Sequence, residues 1–108
     1  MPDMNDFESL GIRVGTIVNV EHNTGAREPA YRLWIDIGAE APVQSSAKIT
    51  AIYGPEDLIN RQVVVVTGFG AIRVGGFRSE VLVLGVVTGG GVVLLRPDDA
   101  VPPGSSVS

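Results

Sequence analysis

The chain has 108 residues, no cysteine and a net charge of −4 at pH 7. This length fits one domain, the missing cysteines exclude disulfides, zinc–cysteine sites and thiol catalysis, and the acidic balance argues against a general nucleic-acid binder, which needs Lys and Arg on the phosphates. Hydrophobic residues make up 44% of the chain, so we expect part of its apolar surface to be covered by a partner, most simply a second copy of the chain.

The N-terminal residues and the apolar runs lead to an expectation about location. Residues 1–6 are acidic and polar, without the basic start and apolar run of a secretory signal. The longest apolar runs, residues 63–66 and 81–84, are too short to span a bilayer. Together with the missing cysteines, these features predict a cytoplasmic protein that does not insert into membranes.

A short helix and a first strand are predicted before residue 22. Asp3 or Asn5 can cap a helix that ends at Gly11. Residues 13–21 then predict a strand, because β-branched residues recur along them. One face of this strand is expected to carry three valines: Val14, Val18 and Val20.

Residues 31–37 form the clearest alternating pattern in the chain and predict a second strand. Four side chains of this strand are expected on one face: Tyr31, Leu33, Ile35 and Ile37. Three are expected on the opposite face: Arg32, Trp34 and Asp36. Gly38 ends this strand, and residues 43–46 predict a third, shorter one.

A helical turn is predicted between the third and fourth strands. Ser46 can cap it, and its apolar residues follow the i, i+3, i+4 spacing of a helix: Ile49, Ile52 and Tyr53. Gly54 fits the position just after the helix, and Pro55 prevents its continuation.

The C-terminal half predicts two or three further strands. Residues 62–67 predict one, and a glycine-rich excursion follows at 68–76. Residues 80–87 and 92–96 predict two more, joined by a hairpin turn at residues 88–91. The turn-rich tail, residues 97–108, would end the barrel as a C-terminal extension.

This order of elements predicts an all-β fold with minor helix. Three strands, a helix and two or three more strands are the arrangement of a five-stranded OB-fold barrel, here a single domain over residues 1–108. The apolar runs at 63–66 and 81–84 suit strands buried on both sides. One side would face the barrel interior, and the other could form a dimer contact.

No group of side chains in the sequence predicts catalysis. His22 is the only histidine, so neither a Ser-His-Asp triad nor a metal cluster can be assembled around it. Gly68-Phe69-Gly70 begins like a dinucleotide-binding fingerprint, but Arg73 stands where its last glycine belongs. We therefore expect a non-enzymatic protein with no catalytic residue, metal or cofactor.

A binding face is predicted instead. Arg32 and Trp34 project together from the second strand, and Arg73 and Arg78 flank a glycine turn. Basic, hydroxyl and aromatic side chains on one barrel face are typical of OB-fold ligand surfaces. The full set is Arg32, Trp34, Ser45, Ser46, Lys48, Arg73 and Arg78. Two alternatives stay open: a subunit contact for Trp34, and a solvated face for the individual arginines.

Several segments, in order along the chain, resemble one family. Residues 11–18 and 26–38, with Ala26-Arg27, Pro29 and Asp36-Ile37-Gly38, look like the opening segments of tRNA-binding domains. Three further segments look like the CsaA branch of that superfamily: Gln-Ser-Ser-Ala-Lys-Ile-Thr at 44–50, Gly-Phe-Arg-Ser-Glu-Val-Leu-Val-Leu-Gly at 76–85, and residues 92–98 with Val101-Pro102.

The resemblance implies a dimeric OB barrel that acts as an export-related chaperone. Paired pockets near the dimer interface would hold unfolded preprotein segments, and the export ATPase is an implied partner. The wider superfamily binds tRNA by its outer corner. Position by position, Arg32 and Arg73 match its basic residues and Ser79 matches the serine of its Ser-Glu motif, which adds Ser79 to the predicted ligand-binding set.

Some positions depart from the superfamily pattern. Gly68 stands where the superfamily has asparagine, Leu82 replaces a methionine, and Ala51 and Ile52 replace basic residues. Each change removes an RNA contact, which favours peptide over RNA as the ligand. The sequence thus supports a dimeric export chaperone first, a tRNA-binding module with little sequence selectivity as the alternative, and a partner-assembly domain with neither activity as a third possibility.

Overall fold

Nine strands and two short helices make up the protein, and the computed structural model describes all of its 108 residues. The helices are α1 (Met4–Ser9) and α2 (Pro55–Leu58). The strands are β1 (Ile12–His22), β2 (Tyr31–Asp36), β3 (Val43–Ala47), β4 (Gln62–Val66), β5 (Ile72–Val74), β6 (Phe77–Ser79), β7 (Leu82–Val83), β8 (Gly85–Thr88) and β9 (Gly91–Leu94). Neither helix is long and apolar enough to cross a membrane.

Five strands form a sheet in the order β3-β2-β1-β4-β7, with every pairing antiparallel. The two edges approach each other, because the Gln44 carbonyl accepts from the backbone N–H groups of Glu80 at 2.8 Å and Val81 at 3.3 Å. The Ser45 hydroxyl adds a bond to the Val81 carbonyl at 2.8 Å. The sheet is therefore a nearly closed five-stranded barrel with a helix between its third and fourth strands, which confirms the predicted OB-type fold.

The alternation of β2 places its apolar side chains in the barrel interior. Tyr31, Leu33 and Ile35 are at most 3% exposed, whereas the intervening residues are half-buried. Burial of each such aliphatic side chain contributes about 1.5–3 kcal/mol, so this strand is a principal source of core stability. Burial also raises the pKa of the Tyr31 phenol, which donates a hydrogen bond to the Tyr53 carbonyl at 2.7 Å.

The predicted face of three valines on β1 is wrong. The register of β1 against β2 shifts between Ile17 and Asn19, which is the effect of a β-bulge on side-chain direction. As a result Val20 packs against the core beside Ile17, while Val18 is 44% exposed. Val14 is also buried, but it does not belong to the hydrophobic core around Ile17.

The helix between β3 and β4 lies later in the chain than predicted. Ser46 belongs to β3 and caps no helix, and Gly54 precedes α2 as its N-cap instead of following a helix. Pro55 occupies the first turn, where its missing N–H leaves no helical hydrogen bond unmade. The Asp57 carboxylate accepts from the Gly54 N–H at 2.8 Å, which stabilises this start.

The strand predicted at 80–87 is divided in the structure. β6 ends at Ser79, and β7 and β8 follow as separate strands. Leu82 is 51% exposed, so one side of residues 81–84 is uncovered in the single chain, and its burial by a second copy stays a prediction. The hairpin predicted at residues 88–91 is confirmed, because it joins β8 to β9.

Both chain ends pack near β1. Asp3 caps α1 as predicted. The C-terminal tail runs beside β1, where the Val14 N–H donates to the Ser105 carbonyl at 2.9 Å and the Gly104 N–H donates to the Val14 carbonyl at 2.7 Å. The tail is thus the predicted C-terminal extension, and it covers the outer side of β1 near Val14.

Candidate ligand-binding face

A hairpin formed by β5 and β6 covers the outer face of β2 and β3. Its Phe77 ring is only 7% exposed. The Arg32 guanidinium carbon lies 5.1 Å from the centroid of that ring, and the Trp34 ring meets it edge-on with centroids 5.4 Å apart. Two of the predicted binding residues therefore hold the hairpin by cation–π and aromatic contacts.

The Trp34 indole has a hydrogen-bond partner on the neighbouring strand. In the amide orientation that satisfies both groups, the Gln44 oxygen accepts from Trp34 Nε1 at 3.1 Å, and its nitrogen donates to the Arg78 carbonyl at 3.1 Å. Gln44 thereby connects β2 to the hairpin through β3. These contacts leave Trp34 half-buried, and through them its side chain supports the β5–β6 hairpin of the same chain.

Asn23 joins three segments beneath the hairpin and was not predicted from the sequence. Its side chain is 4% exposed. Its Nδ2 donates to the Ser46 hydroxyl at 3.1 Å and to the Val74 carbonyl at 3.0 Å, and its Oδ1 accepts from Arg32 Nε at 3.1 Å. Nothing local in the sequence signals this role, because the partners lie 9, 23 and 51 residues away.

The three predicted hydroxyls have different positions. Ser46 lies on the outer face, and its backbone N–H donates to the Ser79 hydroxyl at 3.0 Å. Ser79 is 8% exposed. Ser45 points to the interior side, is 1% exposed and donates to the Val81 carbonyl. The structure thus brings Ser46 and Ser79 together on this face and leaves Ser45 off it.

A basic pocket of about 560 Å³ opens on one side of β5. Three cationic side chains line it: Arg27, Lys48 and Arg73. Glu28 is the one carboxylate, and it forms an ion pair with Lys48 that lowers the pKa of the Glu28 carboxyl. Since positive groups outnumber negative ones, the pocket suits an anionic group of a ligand.

Two glycines lie side by side in the wall of this pocket. Gly25 lies in the loop after β1, and Gly75 lies in the hairpin turn with a φ of +59°. A Cβ on Gly25 would lie 2.4 Å from the Gly75 carbonyl oxygen. The loop and the hairpin therefore meet backbone to backbone, which only glycine permits at this distance.

An apolar pocket of about 400 Å³ opens on the other side of β5. It shares Ser46 and Val74 with the basic pocket. Three of its side chains are at least half exposed: Phe69 at 56%, Ile72 at 65% and Leu82 at 51%. None of these three was in the predicted set, although Phe69 stands out in the sequence as an aromatic residue between two glycines.

Arg78 lines neither pocket. It stands opposite Arg73 in the hairpin register and is exposed. Its Nε lies 3.7 Å from a Glu80 carboxylate oxygen, while the other oxygen of Glu80 accepts from the Gln44 N–H at 3.0 Å. Of the predicted set, Lys48 and Arg73 thus reach the basic pocket, whereas Arg32 and Trp34 support the hairpin from below.

A second apolar surface lies on the hairpin of β8 and β9, and we call it the valine surface. Its members are the exposed aliphatic side chains on the side of the hairpin that faces away from the core: Val86 at 51%, Val93 at 42% and Leu95 at 40%. The opposite side of this hairpin contributes Leu94 to the core. The chain has no group of three or more His, Cys, Asp or Glu side chains that could hold a metal ion.

The chain is similar to a known protein family and to solved structures over nearly all of its length. Residues 12–106 match the family described as "Putative tRNA binding domain". The chain is similar to the chaperone CsaA from Bacillus anthracis strain Ames, with 50% identity, a TM-score of 0.90 and coverage of 100% of this chain and 99% of that one. It is also similar to the CsaA chaperone protein from Picrophilus torridus, with 42% identity, a TM-score of 0.92 and full coverage of both chains.

Longer proteins contain a similar segment. The methionine–tRNA ligase of Methanothrix thermoacetophila is 37% identical over 103 residues, which cover 95% of this chain. The match covers 15% of the ligase. The similarity to these enzymes therefore concerns a small part of their length.

Proposed function

Because this chain belongs to the tRNA-binding-domain family, and within it to the CsaA branch, we propose that it is a non-enzymatic chaperone that binds unfolded preprotein segments for export as a homodimer. The similarity to two CsaA chaperones over their whole length supports this proposal. A cytoplasmic location and an export ATPase as a partner form part of the proposal, and both rest on the resemblance to this branch.

The observation that carries the proposal is the apolar pocket beside the hairpin. Phe69, Ile72 and Leu82 keep at least half of their surface exposed, although burial of an apolar side chain of this size is favourable by about 1.5–3 kcal/mol. Covering them with the apolar side chains of an extended segment would recover that free energy. Unfolded segments offer such side chains, and folded proteins bury them.

The valine surface supports the homodimer. Its exposed aliphatic side chains lie on one hairpin, apart from both pockets. Contiguous exposed apolar surface marks interaction sites, and a second copy of the chain always carries the same surface, as a two-fold contact requires. Dimerisation would then bring two binding faces into one particle.

Leu82→Asp tests peptide binding. We expect it to weaken the binding of a fluorescent unfolded segment by about tenfold or more, because a carboxylate replaces apolar surface in the pocket. Fluorescence anisotropy measures affinity, and light scattering measures suppression of client aggregation. The matched control is Ile59→Asp, since Ile59 is 41% exposed and lines none of the described pockets. Equal affinity of the wild type and Leu82→Asp would refute the proposal.

The basic pocket favours a second candidate function, tRNA binding with little sequence selectivity. Arg27, Lys48 and Arg73 line it, and the matched family and the ligases are associated with tRNA by name. Phosphate contacts would make the logarithm of the binding constant fall with that of salt concentration, with a slope of about −0.7 to −0.9 per neutralised phosphate.

Arg73→Ala separates the two candidates. For tRNA binding, we expect this change to reduce the salt slope by about one contact, while Leu82→Asp should leave the slope unchanged. For peptide binding, we expect the reverse order of sensitivity and a weak dependence on salt. Anisotropy with bulk tRNA and with an unfolded segment, each at low and physiological salt, measures both. A salt slope that Arg73→Ala leaves unchanged would count against the tRNA candidate.

A further inference from the structure

Tyr53 forms a fixed aromatic platform in a part of the barrel that neither pocket on the binding face includes. Its carbonyl accepts from the Tyr31 hydroxyl at 2.7 Å. Its own hydroxyl accepts from the Leu94 N–H at 2.9 Å, and the residue is 8% exposed. Because both polar groups are held and the ring is buried, a group stacked on Tyr53 has a defined position.

Arg61 stacks on this platform. Its guanidinium carbon lies 4.9 Å from the centroid of the Tyr53 ring. Its backbone is also held, since the Arg61 N–H donates to the Leu58 carbonyl at 3.0 Å and the Arg61 carbonyl accepts from the Ile17 N–H at 2.9 Å. The guanidinium is therefore oriented before any ligand arrives, which reduces the entropy lost on binding.

The Arg61 side chain lacks an acceptor. Its Nε is fully buried and makes no hydrogen bond. A buried charged donor without a partner is unfavourable, and native proteins rarely leave one. Arg61 also forms no ion pair, because the chain has only two: Lys48–Glu28 and Arg78–Glu80.

A second arginine, Arg96, lines the same pocket as Arg61. The pocket has a volume of about 330 Å³, and its lining includes Arg61, Arg96 and Asp98. Neither arginine is within ion-pair distance of Asp98. Gln62 also lines the pocket, but its amide is already bonded to Thr16 and Val101. Arg61 and Arg96, from different parts of the chain, thus line one pocket, and neither forms an ion pair.

We propose that this Arg61–Arg96 pocket binds a phosphate group, either free or as the ester of a nucleotide. The planar fork of a guanidinium matches the oxygens of an oxyanion, and a phosphate has enough oxygens for two forks. The two arginine charges outweigh the one carboxylate of Asp98, and the net attraction is larger for a phosphate than for a carboxylate because it grows with the charge of the ligand. The site shares no residue with the apolar or the basic pocket, so it is independent of the proposed function.

NMR on the full chain labelled with ¹⁵N tests the site directly. The probes are inorganic phosphate and adenosine 5′-monophosphate, added at constant ionic strength against sodium chloride. We expect the Arg61 Nε–H resonance to shift and saturate with a dissociation constant of about 1 mM or below. Arg96→Gln should weaken this binding by about tenfold or more, and Asp98→Asn should tighten it.

Arg78→Gln is the matched control, because Arg78 is an exposed arginine outside this pocket. We expect it to leave phosphate affinity unchanged. Equal affinity for the two probes assigns binding to the phosphate group, and tighter binding of the nucleotide adds a contact from its nucleoside; both support the proposal.

Three results would overturn the proposal. The first is that neither probe causes a saturable shift of the Arg61 Nε–H resonance, and the second is that acetate binds with equal affinity. The third is that Asp98→Asn shifts this resonance whereas phosphate does not. The last result would mean that Asp98 itself is the acceptor in solution. A urea unfolding curve of each variant verifies that the fold is retained.

Discussion

The two hairpins outside the five-stranded sheet, β5–β6 and β8–β9, differ in how their faces are covered. The first is attached to the barrel, since Phe77 is 7% exposed and Asn23 bonds the Val74 carbonyl. It directs Arg73 and Arg78 outwards. The second contributes Leu94 to the core but leaves Val86, on its opposite side, 51% exposed.

This difference shows that two short hairpins with similar turns can form two kinds of surface. Both hairpins consist of short strands around a glycine turn, and a two-stranded hairpin alone is only marginally stable. The β5–β6 hairpin is stabilised within its own chain and can present a defined pair of pockets. The outward side of the β8–β9 hairpin is apolar and uncovered, which favours a partner protomer.

The first prediction would break the attachment of β5–β6. We expect Phe77→Ala to lower the free energy of unfolding by about 3–5 kcal/mol, because it removes a buried ring from its contacts with Arg32 and Trp34. Urea unfolding measures this loss. Phe69→Ala is the control and should cost much less, since Phe69 is 56% exposed. Equal losses would show that Phe77 does not anchor the hairpin.

The second prediction concerns the polar part of the same attachment. Asn23→Ala should lower the free energy of unfolding by about 1–3 kcal/mol, because it leaves the Val74 carbonyl and Arg32 Nε without their partner. It should also speed hydrogen exchange in β5 and β6. Asn5→Ala, at an exposed position in α1, is the control. Unchanged exchange in the hairpin would contradict this role.

The third prediction sharpens the contrast by testing the valine surface. We expect Val86→Asp to raise the dissociation constant of the proposed dimer by about tenfold or more, because it places a charge in an apolar contact, with little effect on the stability of the monomer. Light scattering across protein concentrations measures the mass. Val18→Asp, at a β1 position that is 44% exposed, should leave the dimer intact. A Val86→Asp protein that remains as dimeric as the wild type would exclude this surface.

The smallest effect is expected at the ion pair of Glu28 with Lys48. The hydrogen bond and charge of Lys48 lower the pKa of Glu28, so any stabilisation is present at neutral pH and is lost as the pH falls through that lowered pKa. At neutral pH, Glu28→Gln should leave stability nearly unchanged, because both side chains are mostly exposed. It should free Lys48 and strengthen anion binding in the basic pocket.

Binding of a sulfated peptide, which stays anionic in acid, at pH 3 and pH 7 measures this effect, since the pKa of Glu28 is lowered. Protonation of Glu28 also frees Lys48, so the wild type should approach the Glu28→Gln variant as the pH falls. An equal difference between the two proteins at both pH values would show that the ion pair does not limit access to the pocket.

Much of the fold could be predicted from the sequence because local patterns carry it. The alternation at residues 31–37 requires one buried face, Asp3 caps α1, and the glycines at 89–91 allow the turn between β8 and β9. Several motifs in order indicated the CsaA branch. Of the predicted binding set, Lys48 and Arg73 line the basic pocket, and their role in binding stays a prediction.

Only the tertiary structure could decide the rest, because long-range contacts determine it. The bulge in β1 turns Val20 towards the core, the closure of the barrel buries Ser45, and Asn23 finds partners in three distant segments. By itself, the sequence determined which residues favour strands and which faces are apolar, since neighbouring residues set those preferences. The structure decided which polar side chains form hydrogen bonds within the chain and which remain free to bind a ligand, because that depends on groups that meet only after folding.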